Sequence, residues 1–265
     1  MEPPGIGGGC QNAFQSTTFC FMHIGQGLAI IDGIRNLTSD VRELTLRLLE
    51  PSELVFSPGQ SLSFEVPTAR DSKPAIRYYS LASPPSQPRT LVLLLSASEQ
   101  GIGPNYLFTK KAGETIPFGG PNGNFFLHDD GPRNILFVAT GTGIAPFRSM
   151  LFSLFEQPHT KNVTLFWGLR SEKDIYYQQE LEALARQHSN FSFHIALSRA
   201  QKNWRGAKGR VTQLVENLSV VDDLAVYVCG NKRMVIEVTD IVRQKGHCPL
   251  YREKYYDELE RKRLP

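Results

Sequence analysis

Residues 134–146 read NILFVATGTGIAP. NILFVAT is apolar without alternation, the pattern of a strand covered on both faces. Gly141 and Gly143 then turn the chain, and IAPFRSMLFSLFEQ follows as a helix. Strand, glycine turn and helix make the opening βα unit of a parallel sheet. Free amides at the helix start attract phosphate, the glycines let a ligand approach the backbone, and Thr142 adds a hydroxyl. Alone, such a turn reads equally as a tight connection with no ligand.

Working outward, strands and helices keep alternating on the C-terminal side. NVTLFWGLR, FSFHIALSR and LAVYVCG read as strands; DIYYQQELEALARQH, VTQLVENL and RMVIEVTDIVRQKG read as helices. The pattern predicts an α/β domain with a doubly wound parallel sheet over 131–265. On the N-terminal side the period shortens. GLAIIDGIRNL, VRELTLRLL, SLSFEVP, AIRYYSLAS, TLVLLLSAS and GETIPFGG are short β-like runs bounded by Pro, Gly or Ser, with PNYLFTKK as a short helix among them. These predict an antiparallel β-barrel or sandwich over 23–130. The turn-rich HDDGPR marks the boundary, and the Gly- and Pro-rich residues 1–22 read as an extension.

Bulk properties narrow the class. The chain has 265 residues, 41% hydrophobic and 21% charged, with a net charge of +3. This fits a globular protein and gives no nucleic-acid signature. No run of eighteen apolar residues and no basic leader appear, so a cytoplasmic location without membrane spans is expected. The cysteines Cys10, Cys20, Cys229 and Cys248 have no iron–sulfur or zinc spacing, no metal site is expected, and reduced thiols fit a chain with this much core.

Four further stretches carry candidate chemistry. In RYYS, Arg77 and Tyr79 share one face of a strand, a guanidinium for a diphosphate beside a flat ring, and Ser80 offers a hydroxyl. An edge strand with a half-exposed tyrosine is the bland alternative. GGPNGNF, with Gly120, Pro121 and Gly123, is a rigid turn. LSRAQKNWRGAKGR gathers Ser198, Arg199, Lys202, Arg205, Lys208 and Arg210 after a strand, where cations suit a ribose 2′-phosphate; a solvated basic loop is equally consistent. YVCGNKRM puts Cys229 and Gly230 at the carboxyl end of a strand, facing a ligand crevice or buried as structure.

The order RxYS, GPxG, GTGIAP, Ser-Arg, then CG followed by Met resembles the ferredoxin–NADP reductase family over about residues 26–256. The resemblance implies an FAD-binding β-barrel and an NAD(P)-binding α/β domain. It implies that Arg77 holds the flavin diphosphate, Tyr79 stacks beside the flavin and Ser80 bonds near its N5. Gly120, Pro121 and Gly123 match its second turn motif. Gly141, Thr142, Gly143 and Pro146 would shape the dinucleotide diphosphate site. Gly168 and Arg170 in WGLRSEKDIYY line the nicotinamide side, as do Cys229 and Gly230. Ser198 and Arg199, with Lys208 and Arg210, suit the 2′-phosphate. REKYY places Glu253 and Tyr255 near the flavin, so Ser80, Cys229 and Glu253 form the implied catalytic group.

Two departures qualify this expectation. GIGPNYL has Pro104 where the family has Ser or Thr, which removes a hydroxyl and an amide. NWRGAKGRVT resembles oxygenase reductases that use NADH, against the Ser-Arg signal for NADPH. The leading expectation is hydride exchange between NADP(H) and FAD, with single electrons passed to a separate ferredoxin or flavodoxin. Arg35, Arg42, Arg47 and the tail ERKRLP are candidates for steering an acidic carrier. The alternatives are an NADH-dependent reductase of an oxygenase or desaturase, and a non-catalytic regulatory or assembly subunit with the same fold.

Overall fold

The structure, a computed structural model, describes residues 26–67, 74–97 and 102–255. The first sheet is antiparallel and contains β1 (Gln26–Asn36), β2 (Val41–Glu50), β3 (Ser61–Val66), β4 (Ala75–Ser80), β5 (Thr90–Ser96) and β6 (Thr115–Asn122). Its order is β4-β3-β6-β1-β2-β5. A bridge between Leu81 and Leu93 joins the two edge strands and curls the sheet toward a barrel. In β2, Leu44, Leu46 and Leu48 point inward at the strand period of two. They meet Ile31, Leu62, Phe64, Leu91 and Leu93 in one core. The helix α1 (Ile102–Thr109) follows β5. Pro104 sits in its first turn, where an N–H has no partner within the helix, so the helix loses no bond there. The side chains of Pro104 and Asn105 lie outside the described residues.

The second sheet contains β7 (Asn134–Thr140), β8 (Val163–Leu169), β9 (Phe191–Leu197), β10 (Ala207–Lys208), β11 (Leu224–Asn231) and β12 (Leu250–Tyr255). It is parallel, in the order β10-β9-β8-β7-β11-β12. Its helices are α2 (Ile144–Phe155), α3 (Gln178–Gln187), α4 (Val211–Glu216) and α5 (Lys232–Lys245). The run 134–140 is central because both its faces are covered. Ile135, Phe137 and Ala139 pack into one core, and Leu136 and Val138 into the other. Truncating fully buried Phe137 to Ala would cost roughly 3–5 kcal/mol.

Two details depart from the sequence pattern. Helix α3 begins at Gln178, after a short 3-10 turn at Glu172–Asp174. Tyr177 between them has φ 57°, which ends the regular run from 174. The charged LYREKY is a strand, and it pairs with β11. No described helix is long and apolar enough to cross a membrane. Cys10, Cys20 and the ERKRLP tail lie outside the described residues.

Candidate active site and dinucleotide cleft

The parallel pairing of β11 with β12 sets Cys229 opposite Glu253 in register. Ser80, at the end of β4 in the barrel, reaches the same carboxylate. Its Oγ donates to Glu253 Oε2 at 3.0 Å, and Cys229 Sγ lies 3.6 Å from that oxygen. Ser80 and Cys229 are buried. Removal from water pushes the Glu253 carboxyl up to about 7, against the opposing hydrogen bonds from Ser80 and Cys229. Two residues, from β4 and β11, thus converge on the β12 carboxyl group, which is poised near neutral pH.

The barrel side of this cluster runs through neighbouring strands. Tyr79 packs edge-on against Phe64 of β3, ring centroids 5.9 Å apart, and burial raises its phenol pKa. Arg77 shares the Tyr79 face of β4, and its NH1 donates to the Ile76 carbonyl at 3.0 Å. Gly120, Pro121 and Gly123 lie at the far end of β6, which pairs with β3 on the side opposite β4. Gly120 has φ 139°, and a Cβ there would sit 3.1 Å from Leu62 and Ser61 atoms. The side chain of Tyr255 lies outside the described residues.

On the α/β side, a cleft of about 790 Å³ opens at the carboxyl ends of β7, β8 and β9. Gly141, Thr142, Gly168, Arg170, Ser198 and Arg210 line it. The opposite wall comes from the barrel: Thr38, Asp40 and Val41 of the β1–β2 hairpin, with Ser96 and Ala97. Gly141 has φ 52° and open space where a Cβ would stand, whereas a Cβ on Gly143 would lie 2.4 Å from the Cys229 carbonyl. The first glycine therefore leaves room for a ligand, and the second lets the turn after β7 close onto the end of β11. Pro146 is buried behind the turn, in the first turn of α2.

Not every cation of the basic loop joins this cleft. Arg199 is exposed and outside the lining; its backbone N–H bonds the Arg170 carbonyl at 2.7 Å. Lys208 Nζ turns to the Lys202 carbonyl at 2.9 Å. Arg210 does line the cleft, and faces Arg233 there across Glu237, with nitrogen–oxygen distances of 3.6 Å and 2.6 Å. Arg233 and Glu237 escaped the sequence reading, although Asn231 before them is a recognisable helix cap, accepting from the Met234 amide at 2.9 Å. Tyr176 was missed as well. Its ring stands edge-on to Trp167 at 4.8 Å, and Trp167 Nε1 in turn holds the Gly141 carbonyl at 3.0 Å.

The comparisons with known proteins agree with this geometry. An oxidoreductase FAD-binding domain family matches residues 29–127, and an oxidoreductase NAD-binding domain family matches residues 137–240. Ferredoxin–NADP reductase B of Sorangium cellulosum is 35% identical over 217 residues, 79% of this chain and 88% of that one. The chain belongs to the ferredoxin–NADP reductase family. The electron transfer component of anthranilate 1,2-dioxygenase from Acinetobacter baylyi is 31% identical over 207 residues, 77% of this chain but 59% of that protein. A cytochrome P450 reductase from Amycolatopsis superposes with a TM-score of 0.79 at 26% identity, covering 87% of this chain and 69% of that one. The family assignment supports an FAD- and NAD(P)-dependent oxidoreductase.

The residues present fit both cofactors. The Tyr176 hydroxyl is buried on the cleft wall with no hydrogen-bond partner among the described residues, an orphan donor of the kind a bound polar ligand satisfies. Gly141 leaves space at the phosphate-binding turn. The Ser80–Glu253–Cys229 group offers a hydroxyl and a protonatable carboxyl to a heteroaromatic ring.

Proposed function

We propose that this reductase exchanges reducing equivalents between NADP(H) and a separate one-electron carrier protein, a ferredoxin or flavodoxin. The observation that carries the choice of NADP(H) is the cationic end of the cleft. Ser198, Arg170, Arg210 and Arg233 line it together, and a 2′-phosphate dianion is the ribose substituent that such a set favours.

When bound, FAD would supply two-electron acceptance from a dihydronicotinamide and one-electron release. Arg77 and Tyr79 would hold and flank the flavin from β4. Ser80 donates a hydrogen bond and keeps its strand end against β12. Glu253 holds a proton below about pH 7 and carries a negative charge above it. Cys229 presents a small thiol at the end of β11, where a larger side chain would fill the approach. Thr142 and the turn amides meet the dinucleotide diphosphate.

The carrier docks by its own chemistry, and the arginines put forward for steering it are engaged within the fold. Arg35 pairs with Glu43 at 2.9 Å, Arg47 with Asp32 at 3.3 Å, and Arg42 lies over the Phe108 ring and bonds its carbonyl at 2.6 Å. Arg35 and Arg47 still keep 60% and 50% of their side-chain surface exposed, so they remain part of the field an acidic carrier meets.

One observation favours the NADH-dependent alternative. Glu237 stands between Arg210 and Arg233 and offsets part of their charge. Anaerobic titration of the flavin with NADPH and NADH in parallel tests the choice. Bleaching at much lower NADPH than NADH supports the reading above; the reverse order favours an oxygenase-type reductase.

A further inference from the structure

Helix α3 starts in an unusual way. Its N-cap residue is Tyr177, which makes no side-chain capping bond. Caps favour Ser, Asp or Asn because a short oxygen-bearing side chain satisfies the first amides. Tyr177 also holds φ 57°, ψ 7°, and among the described residues it is the only non-glycine with positive φ. A tyrosine keeps that conformation only where its surroundings over-determine it. The side chain shows what those surroundings are. Its hydroxyl donates to Glu43 Oε2 on β2, a residue 134 positions away in the barrel.

The contact is built on both sides. Arg35 of β1 grips Glu43 with Nε at 3.1 Å and NH2 at 2.9 Å. Arg148 of α2 grips Glu180 of α3 with Nε at 2.8 Å and NH2 at 2.7 Å. The two guanidinium groups stand over the Tyr177 ring at 5.7 Å and 5.0 Å. A second crossing link joins Arg148 NH1 to the Ala82 carbonyl at 2.7 Å, just beyond Ser80. Glu43 is 9% exposed, so these partners stand in for the water it has lost.

Position gives the network its meaning. Glu43 lies at the base of the β1–β2 hairpin, whose Thr38, Asp40 and Val41 form the barrel wall of the cleft. Asp174 and Tyr176, immediately before Tyr177, line the facing wall. The Tyr177–Glu43 bond therefore ties the two walls together beside the space a dinucleotide would fill.

We propose that Tyr177 and Glu43 are positioning residues, a latch between barrel and α/β domain that sets the cleft width and so the approach of nicotinamide to flavin. The latch acts on whichever dinucleotide the enzyme uses, so it stands apart from the choice between NADPH and NADH. Misplacing reacting groups by about 1 Å costs up to roughly 100-fold in rate, so a loosened latch acts on hydride transfer before it acts on affinity.

The test is stopped-flow reduction of the flavin-loaded enzyme by the better of the two dinucleotides. Y177F deletes only the hydroxyl. The expected result is a limiting reduction rate lowered about tenfold, with weakened nicotinamide–flavin charge-transfer absorbance. The dissociation constant should stay within about twofold and Tm within a few degrees. E43Q keeps an oxygen that accepts from Tyr177 and should retain most of the rate; E43A should fall to the Y177F level. The double variant Y177F/E43A should be no slower than either single one. An unchanged rate in Y177F overturns the latch. So does a loss of rate that follows a matching loss of Tm or dinucleotide affinity, and so does strict additivity in the double variant.

Discussion

The Ser80–Glu253–Cys229 cluster and the basic end of the cleft sit on the same sheet ends yet work by opposite physics. The cluster is small, buried and close to neutral, and its one ionisable carboxyl is tuned by loss of water. The cleft is open and charged, and Arg210 and Glu237 keep 55% and 32% of their side-chain surface exposed. Buried groups lose strength abruptly when one partner is removed, because the partner left behind has no water. Exposed ion pairs change gradually and respond to salt. One region should therefore govern rate, and the other the choice of dinucleotide.

The largest expected effect is at Ser80. Among the described residues, S80A leaves the Glu253 carboxyl the Cys229 thiol as its side-chain partner. Flavin reduction should slow by about 100-fold, the scale of losing one donor in a water-excluded site, while the dissociation constant for the dinucleotide holds within about twofold. A rise in that constant with an unchanged limiting rate would reverse the division of labour.

Arg210 comes next. It sits at the start of α4 without a side-chain cap, so R210A should leave the fold intact. The preference for NADPH over NADH should fall about tenfold, the worth of a hydrogen bond to a charged group. High salt should compress the wild-type preference and leave the R210A preference nearly flat. Equal losses with both dinucleotides would mean that Arg210 meets the shared diphosphate instead.

Glu253 gives a smaller effect with a definite sign. Its carboxyl is raised to about 7, so it is neutral below that pH and anionic above it. Negative charge beside a flavin that is gaining electrons opposes hydride transfer, so the wild-type rate should fall several-fold as pH rises through about 7. E253Q stays neutral and should keep a flat profile at the low-pH rate. The same shift predicts stability: the unfolded carboxyl ionises first, so Glu253 lowers stability as pH rises from its ordinary value toward about 7, and the loss levels off above that.

The comparison also explains what could be read from the sequence. The barrel strands were legible because alternation records one covered face, as at Leu44, Leu46 and Leu48. The parallel strand at 134–140 was legible because two covered faces leave an unbroken apolar run. Strand β12 was not, since LYREKY carries charge at alternate positions and is recognised only by its register with β11. The cluster was legible through its motif order. The latch was not, because nothing local to Tyr177 announces a partner 134 residues earlier.

The last case is Arg199, where motif and geometry part. The Ser-Arg pair marks it as a phosphate ligand, yet Ser198 lines the cleft and Arg199 does not. Both residues stand in the turn after β9, and there the exposed Arg199 lies outside the cleft lining. The backbone N–H of Arg199 donates to the Arg170 carbonyl, and any residue but proline supplies that bond. R199A should therefore change the NADPH preference by less than about twofold, since an exposed charge outside the site acts only through screened space. Charge reversal in R199E should show a larger effect at low salt that disappears at high salt. A tenfold loss in R199A that survives high salt would mean the 2′-phosphate lies toward the 199–205 loop. Arg210, Arg233 and Glu237 would then form a structural ion pair cluster, and the sharp split between a buried rate-setting site and an exposed selecting one would have to be redrawn around that loop.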